Sequence, residues 1–224
     1  MRLMPWLLAP VVALTMLATP AAQAASDAAN LVERARITVD DLKKDPAFGN
    51  ARDLMRRAKG VLIVPELIKG GFFLGGEGGN GVLLTRNNSG WSYPAFYTLA
   101  SASFGLQIGL QQSEMILFVM TDKALNALMT DEFKIGATAG IAVVTLGSTV
   151  EAATTSAVGA DIIVWASATG AYAGLTLNGS VIRPRNEWNA EYYGHNPRSA
   201  DIVARRNVKN ASADQLRGSL ASIR

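Results

Sequence analysis

Residues 58–112 read AKGVLIVPELIKGGFFLGGEGGNGVLLTRNNSGWSYPAFYTLASASFGLQIGLQQ, and their punctuation decides the fold. Short apolar runs at 61–64, 72–74, 82–85 and 96–99 are separated by Pro, Gly and Asn-Ser-Gly breaks, the spacing of an antiparallel meander. From 100 to 111, Phe104, Leu106, Ile108 and Leu110 take even positions, while Ser, Gly and Gln take the odd ones. That alternation predicts one strand with a single buried face. Seven of the twelve residues 70–81 are glycine. One tight turn needs fewer, so the backbone there is expected to bend, bulge or admit another surface closely.

Helical periodicity flanks this sheet. Leu31, Val32, Ala35, Val39 and Leu42 recur on one side of an amphipathic first helix. A second helix is expected to start at Asp45-Pro46 and stop at Gly60. Its Ala47, Ala51, Leu54, Met55 and Ala58 share one face, and Arg52, Arg56 and Lys59 lie on the opposite one, with Phe48 at the border. Downstream, 115–120 reads as a strand and Thr121 as the N-cap of a short helix that packs Leu125, Leu128 and Met129. Residues 135–150 and 162–182 carry no charge, and their Gly, Ser, Thr and Asn suit buried strands better than a membrane-spanning helix. The C-terminal part turns helical again: Asn186 caps 187–193, Gly194 ends it, and 199–206 and 212–222 are short helices. Together these elements predict an α+β fold, a curved, mainly antiparallel sheet closing toward a barrel and covered by N- and C-terminal helices.

Several motifs resemble the SYLF-domain family in their order. They are Ala58-Lys59-Gly60-Val61, Gly81-Val82-Leu83-Leu84, Gly90-Trp91-Ser92, Pro94-Ala95-Phe96, Ser103-Phe104-Gly105, Gln107-Ile108-Gly109, Asp161-Ile162, 174–181 and Tyr192-Tyr193-Gly194. The resemblance covers roughly 31–194. It implies a lipid-binding or actin-binding domain, with phosphoinositides as ligands and actin as a partner in eukaryotic relatives.

Other features bear on location and partners. Arg2, the apolar stretch 6–19 and Ala22-Gln23-Ala24 form a signal-peptide pattern over 1–24. The mature chain, 25–224, is expected to be one SYLF-like domain with a core near 31–194 and a helical extension over 195–224. Without cysteine there is no lipoprotein modification, no disulfide and no thiolate chemistry. An exported, periplasmic protein, peripheral to a membrane, is the expectation. Lys and Arg outnumber acids eight to six in 27–59 and eight to four in 183–224, while acids lead eight to four in 60–182. Basic flanks around an acidic centre favour anionic surfaces as partners. Nucleic acid is not expected, because no Lys/Arg run is interleaved with aromatics.

Catalytic and cofactor patterns are weak. Gly76-x-Gly78-x-x-Gly81 matches a dinucleotide fingerprint as a string, but 82–85 reads as a strand where the fingerprint needs a helix. His195, the single histidine, follows a helix-ending glycine and precedes Asn196-Pro197, which suits an exposed loop. No G-x-S-x-G, S-x-x-K or H-E-x-x-H string occurs. Asp131-Glu132 reads as a solvated turn, and Glu77, alone among glycines, as a carboxylate at a loop tip. The tryptophans and tyrosines read as core packing in preference to a membrane belt. The expectation is therefore a non-enzyme without cofactor or metal that binds anionic phospholipid. Phe48, Arg52, Arg56 and Lys59 form the expected contact, and Arg205, Arg206 and Lys209 a secondary basic patch. An envelope protein-interaction module is the alternative, followed by an outer-membrane β-barrel and a hydrolase.

Overall fold

The central apolar runs become strands buried on both faces, which is why they read as VLIV, VLL and MILFV without strict alternation. The computed structural model describes residues 20–45, 48–71, 74–104, 109–136, 140–145, 159–168, 177 and 179–223. The strands are β1 (Gly60–Gly71), β2 (Leu74–Asn87), β3 (Gly90–Trp91), β4 (Ala95–Phe104), β5 (Gly109–Val119), β6 (Phe133–Lys134), β7 (Ile141–Thr145), β8 (Ile162–Ala168) and β9 (Val181–Pro184). They form one curled, half-barrel sheet in the order β6-β9-β4-β2-β1-β5-β8-β7, with β3 paired to β2. Each pairing is antiparallel except β7 with β8. The expected α+β architecture is thus the observed one.

Side-chain parity divides the described apolar residues of the central strands between two cores. Val61, Ile63, Val82, Leu84, Phe96, Ile116, Phe118, Ile163 and Trp165 face the first. Leu62, Val64, Leu83, Tyr97, Leu99, Met115, Leu117 and Val164 face the second. The first core is covered by α1 (Pro20–Lys44), α2 (Phe48–Arg57) and α5 (Asp214–Ala221), together with Tyr192 of α4 (Asn186–Tyr193). Ala28, Leu31, Val32, Ala35, Val39 and Leu42 of α1 are all buried there, as their spacing predicts. The second core is closed by Ala124 and Leu128 of α3 (Asp122–Leu128), by Phe133 and Ile182, and by Ile202 and Val203 of the π-helical turn Asp201–Arg205.

A bulge in β1 keeps these faces in step. Ile63 opposes Val82, but Glu66 opposes Asn80, and on the other side Val64 opposes Met115 while Leu67 opposes Ser113. One extra residue in β1 flips the parity, so Leu67 joins Leu62 and Val64 in the second core. Pro65, which has no N–H to give a ladder, sits at this irregularity.

The glycine-rich segment is strand, not a series of bends. Gly70, Gly71, Gly75, Gly76, Gly78 and Gly79 pair in register between β1 and β2. Gly76, Gly78 and Gly79 do not adopt positive φ; the glycines that do are Gly90, Gly136, Gly159, Gly179 and Gly194 among the described residues. The reason for glycine is close approach. A Cβ on Gly81 would lie 2.6 Å from the Ile63 carbonyl oxygen, and one on Gly79 would fall on the Glu66 carbonyl oxygen. Both carbonyls belong to the bulge. Gly60 likewise opens β1 where a Cβ would meet the Leu84 carbonyl oxygen at 2.8 Å, instead of stopping α2, which ends at Arg57.

Other boundaries differ in detail. The segment 100–111 is divided between the end of β4 and the start of β5, which flank the β1–β2 hairpin; 105–108 lie outside the described residues, as do 72 and 73. Thr121 does cap α3, accepting from the Ala124 N–H at 3.2 Å. Arg185, not Asn186, is the N-cap of α4, and Gly194 ends that helix at φ 72°.

These contacts separate glycines that composition cannot. Gly79→Ala and Gly81→Ala should each lower the unfolding free energy by about 1–3 kcal/mol or more. Gly78→Ala, whose Cβ would meet its nearest neighbour, the Leu99 carbonyl oxygen, at an ordinary 3.5 Å, should stay within about 0.5 kcal/mol of the parent. Urea denaturation of the three variants checks the split.

Candidate functional site

Burial orients α2. Ala51, Leu54, Met55 and Ala58 are all at most 8% exposed and pack into the first core. Fully burying a Leu or Met side chain stabilises by about 1.5–3 kcal/mol, several times what an exposed ion pair contributes, so the apolar face sets the rotation and the cations follow. Arg52 and Arg56 point outward, as the periodicity predicts; Lys59 is also exposed, but it lies beyond the end of α2, with its N–H donating to the Val119 carbonyl at 2.8 Å. The structure places Phe48 at the first residue of α2, and its side chain lies outside the described residues.

The cationic face is partly neutralised by its own neighbours. Arg56 pairs with Asp53 at 2.6 Å, and Lys59 with Asp122 of α3 at 3.3 Å. Arg57 is also exposed and forms no ion pair among the described residues. Among the described residues, Arg52, Arg56, Arg57 and Lys59 therefore share this surface with the carboxylates of Asp53 and Asp122. Lys43 and Lys44 end α1 nearby in sequence, but each is paired, with Asp40 at 2.9 Å and Asp41 at 2.7 Å. Asp45 accepts the Trp165 indole N–H at 3.0 Å, which ties the α1–α2 junction to β8.

The three cations of the C-terminal patch have different surroundings. Arg205 is exposed and paired with Asp201. Lys209 is exposed. Arg206 turns inward: with φ 57° it donates to the Thr85 carbonyl at 3.0 Å and the Gly90 carbonyl at 2.9 Å. Thr85 in turn donates to the Val203 carbonyl and its N–H reaches Ser92 Oγ at 3.0 Å. Arg206 therefore fastens the C-terminal segment to the end of β2, and only Arg205 and Lys209 present their heads to solvent.

Glu77 is not at a loop tip. It is 6% exposed near the start of β2, opposite Lys69 on β1 and Ser101 on β4. His195 is an exposed loop residue whose Nδ1 lies 2.9 Å from the Tyr193 carbonyl oxygen. Asp131 is exposed, and Glu132 is held by Arg183 and Lys134. The aromatic residues serve the cores: Trp91, Trp165, Tyr97 and Tyr192 are buried, while Tyr172 lies outside the described residues. Trp188 and Tyr192 meet at Phe96, with ring centroids 6.0 and 5.0 Å away. No described helix is long and apolar enough to cross a membrane.

The Ysc84 family, described as Las17-binding protein actin regulator, matches residues 100–223, more than half of the chain. The chain belongs to the Ysc84 family. LAS seventeen-binding protein 3 of Saccharomyces cerevisiae is 29% identical over 192 residues, 81% of this chain and 41% of that protein. Protein YSC84 of the same organism is 29% identical over 169 residues, 73% of this chain and 36% of that protein. SH3 domain-containing YSC84-like protein 1 of Homo sapiens is 28% identical over 165 residues, 73% of this chain and 48% of that protein. The chain thus spans less than half the length of these relatives. The SYLF resemblance drawn from the motifs is the family found.

One carboxylate under α1 makes the helix–sheet junction sensitive to pH. Glu114 of β5 is half-buried, and burial, with the nearby Asp41 charge, raises its pKa, opposed by the nearby Thr38 hydroxyl. A folded pKa above the unfolded one means the ionised folded state is penalised, and the penalty is relieved as pH falls through the folded pKa. Glu114→Gln should therefore raise stability at pH 7, with the gain shrinking to nothing once pH drops below the ordinary carboxylate value of 4.5. Thermal melts of parent and variant across pH 3.5–7.5 test this; a gain that persists at the acid end contradicts it.

Proposed function

We propose that this chain is a non-catalytic, exported protein that binds anionic phospholipid at a membrane surface. The observation that carries this reading is α2, docked through its apolar face with Arg52, Arg56 and Arg57 turned out and Lys59 exposed just beyond its end. With Asp53 and Asp122 on the same surface, these cations are partly neutralised. A basic residue near an anionic leaflet contributes about 1 kcal/mol, a contribution that neighbouring carboxylates reduce and that weakens as salt rises. The absence of a nucleophile–base string and the exposed loop position of His195 support a binding role over turnover.

A second reading has its own support. A relative is named as a binder of LAS seventeen, and the family as an actin regulator, so a protein-binding module is the alternative. An exported chain would engage an envelope protein in that case. Cosedimentation decides between the two. The triple variant Arg52→Glu, Arg56→Glu, Lys59→Glu should lose binding to anionic vesicles while keeping its circular dichroism spectrum. Unchanged vesicle binding removes α2 from the contact, and no vesicle binding by the parent leaves the protein-binding reading.

Export is the other part of the proposal, supported by the pattern of Arg2, the apolar stretch and Ala22-Gln23-Ala24. The described buried positions of α1 begin at Ala28, so cleavage after Ala24 would remove none of them. N-terminal sequencing of the periplasmic protein should begin at Ala25; an envelope form that retains Met1 rejects this processing.

A further inference from the structure

On the sheet face opposite α2, beside the second core, a cleft of about 550 Å³ opens between the end of α3, the end of β9 and the turn Asp201–Arg205. Met129 and Pro184 give it apolar walls, and Arg198, Arg205 and Asp131 stand around it. Its floor is fixed to the core. Ser199 is 2% exposed, and the buried Tyr97 phenol beside it donates to the Leu128 carbonyl at 2.9 Å. A volume of this size suits a small molecule.

The charges around the cleft are not equivalent. Arg205 is paired with Asp201, Arg183 and Lys134 with Glu132, and Arg185 stacks on Trp188 at 3.8 Å while donating to Asn80 at 3.0 Å. Arg198 and Asp131 are exposed and make no ion pair among the described residues, although the Arg198 charge, after the backbone hydrogen bond and the Arg205 contacts, helps hold the Asp201 carboxyl below its usual range. Their backbones, by contrast, are pinned. The Arg198 N–H donates to Asp201 Oδ2 at 3.0 Å and its carbonyl accepts from the Asp201 N–H at 2.9 Å. On the other wall, Thr130 donates from its backbone N–H and its hydroxyl to the Ala127 carbonyl, at 3.2 and 2.6 Å, which fixes the residue before Asp131. One cation and one anion without an ion-pair partner among the described residues thus line the cleft on pinned backbones.

We propose that this cleft binds a small zwitterion, an oxyanion group at the Arg198 guanidinium and an ammonium group at the Asp131 carboxylate. The guanidinium fork suits a carboxylate or phosphate, and Asp131 disfavours ligands that carry negative charge alone. The site lies on the other face of the sheet from α2 and does not rest on the membrane reading.

Phosphoethanolamine is the probe, since it carries a phosphate and an ammonium group on a two-carbon spacer. Titration calorimetry should detect its binding to the parent protein, with inorganic phosphate and ethanolamine alone each binding at least about tenfold more weakly. Arg198→Asp and Asp131→Arg should each weaken binding about tenfold or more, and the double exchange should recover most of it by presenting the charges in the opposite order. Both side chains are exposed, so circular dichroism should be unchanged. Vesicles of phosphatidylethanolamine, competed by free phosphoethanolamine, separate a lipid headgroup from a soluble ligand, and either source satisfies the proposal. The α2 triple variant should bind phosphoethanolamine as the parent does. Failure of phosphoethanolamine to bind, equal binding of inorganic phosphate, or indifference to both charge reversals overturns the assignment.

Discussion

The extra residue in β1 is the constraint on which the rest of the structure depends. Before it, odd residues of β1 face the first core; after it, Leu67 faces the second and Glu66 reaches Arg34 of α1 at 2.6 Å. An unbulged β1 would turn Leu67 toward the α1 side and Glu66 toward the second core, where an uncompensated carboxylate costs several kcal/mol. The bulge pushes the Ile63 and Glu66 carbonyls toward β2, and Gly79 and Gly81 are the residues that let them come. Pro65, a poor residue for a regular central strand, is tolerated because the ladder is already interrupted there.

A sheet buried on both faces needs two independent covers, and the chain supplies them from distant segments. α1 and α2 reach the first face from the N-terminal side and α5 joins them from the C-terminal side, where Ser219 meets Asp40 at 2.6 Å and Lys43 at 2.8 Å. The second face takes α3 from between strands and the turn Asp201–Arg205 from the C-terminal segment. That segment therefore has to pass from one face to the other around the end of β2. Arg206 sits at the passage. Its left-handed backbone redirects the chain, and its guanidinium satisfies the Thr85 and Gly90 carbonyls that the strand end would otherwise leave to water.

The parts legible in the sequence were those governed by local periodicity. α1, the buried side of α2, the Thr121 cap and the Gly194 stop follow from spacings of three or four residues and from single-residue conformational preferences. The parts that were not legible depend on partners far along the chain. Glycine composition signals that a Cβ is unwelcome, but it does not distinguish a positive φ from a neighbouring carbonyl, and at Gly79 and Gly81 the neighbour is thirteen to eighteen residues upstream. The same ambiguity made Gly60 read as a helix stop. Glu77 among glycines reads as a loop residue until the register places it between two strands. Arg206 reads as one of a basic cluster, because nothing near it in sequence announces Thr85.

Closing both faces of the sheet also determines where recognition can occur. Large residues from every central strand fill the two cores, so the described interior of the half-barrel is packing and not a ligand chamber. Binding chemistry is left to the outer surfaces of the covering elements. There the two faces differ: α2 offers several cations with partial neutralisation, suited to a diffuse anionic surface, whereas the cleft beside α3 offers one cation and one anion at fixed points, suited to a discrete molecule. A diffuse contact weakens as salt screens it, and a discrete contact desolvates its charges and is screened less. Because the sheet separates the proposed contacts, occupation of one leaves the charges of the other untouched unless the sheet itself changes shape. The bulge, packed against two glycines with no room for a Cβ, gives it little freedom to do so.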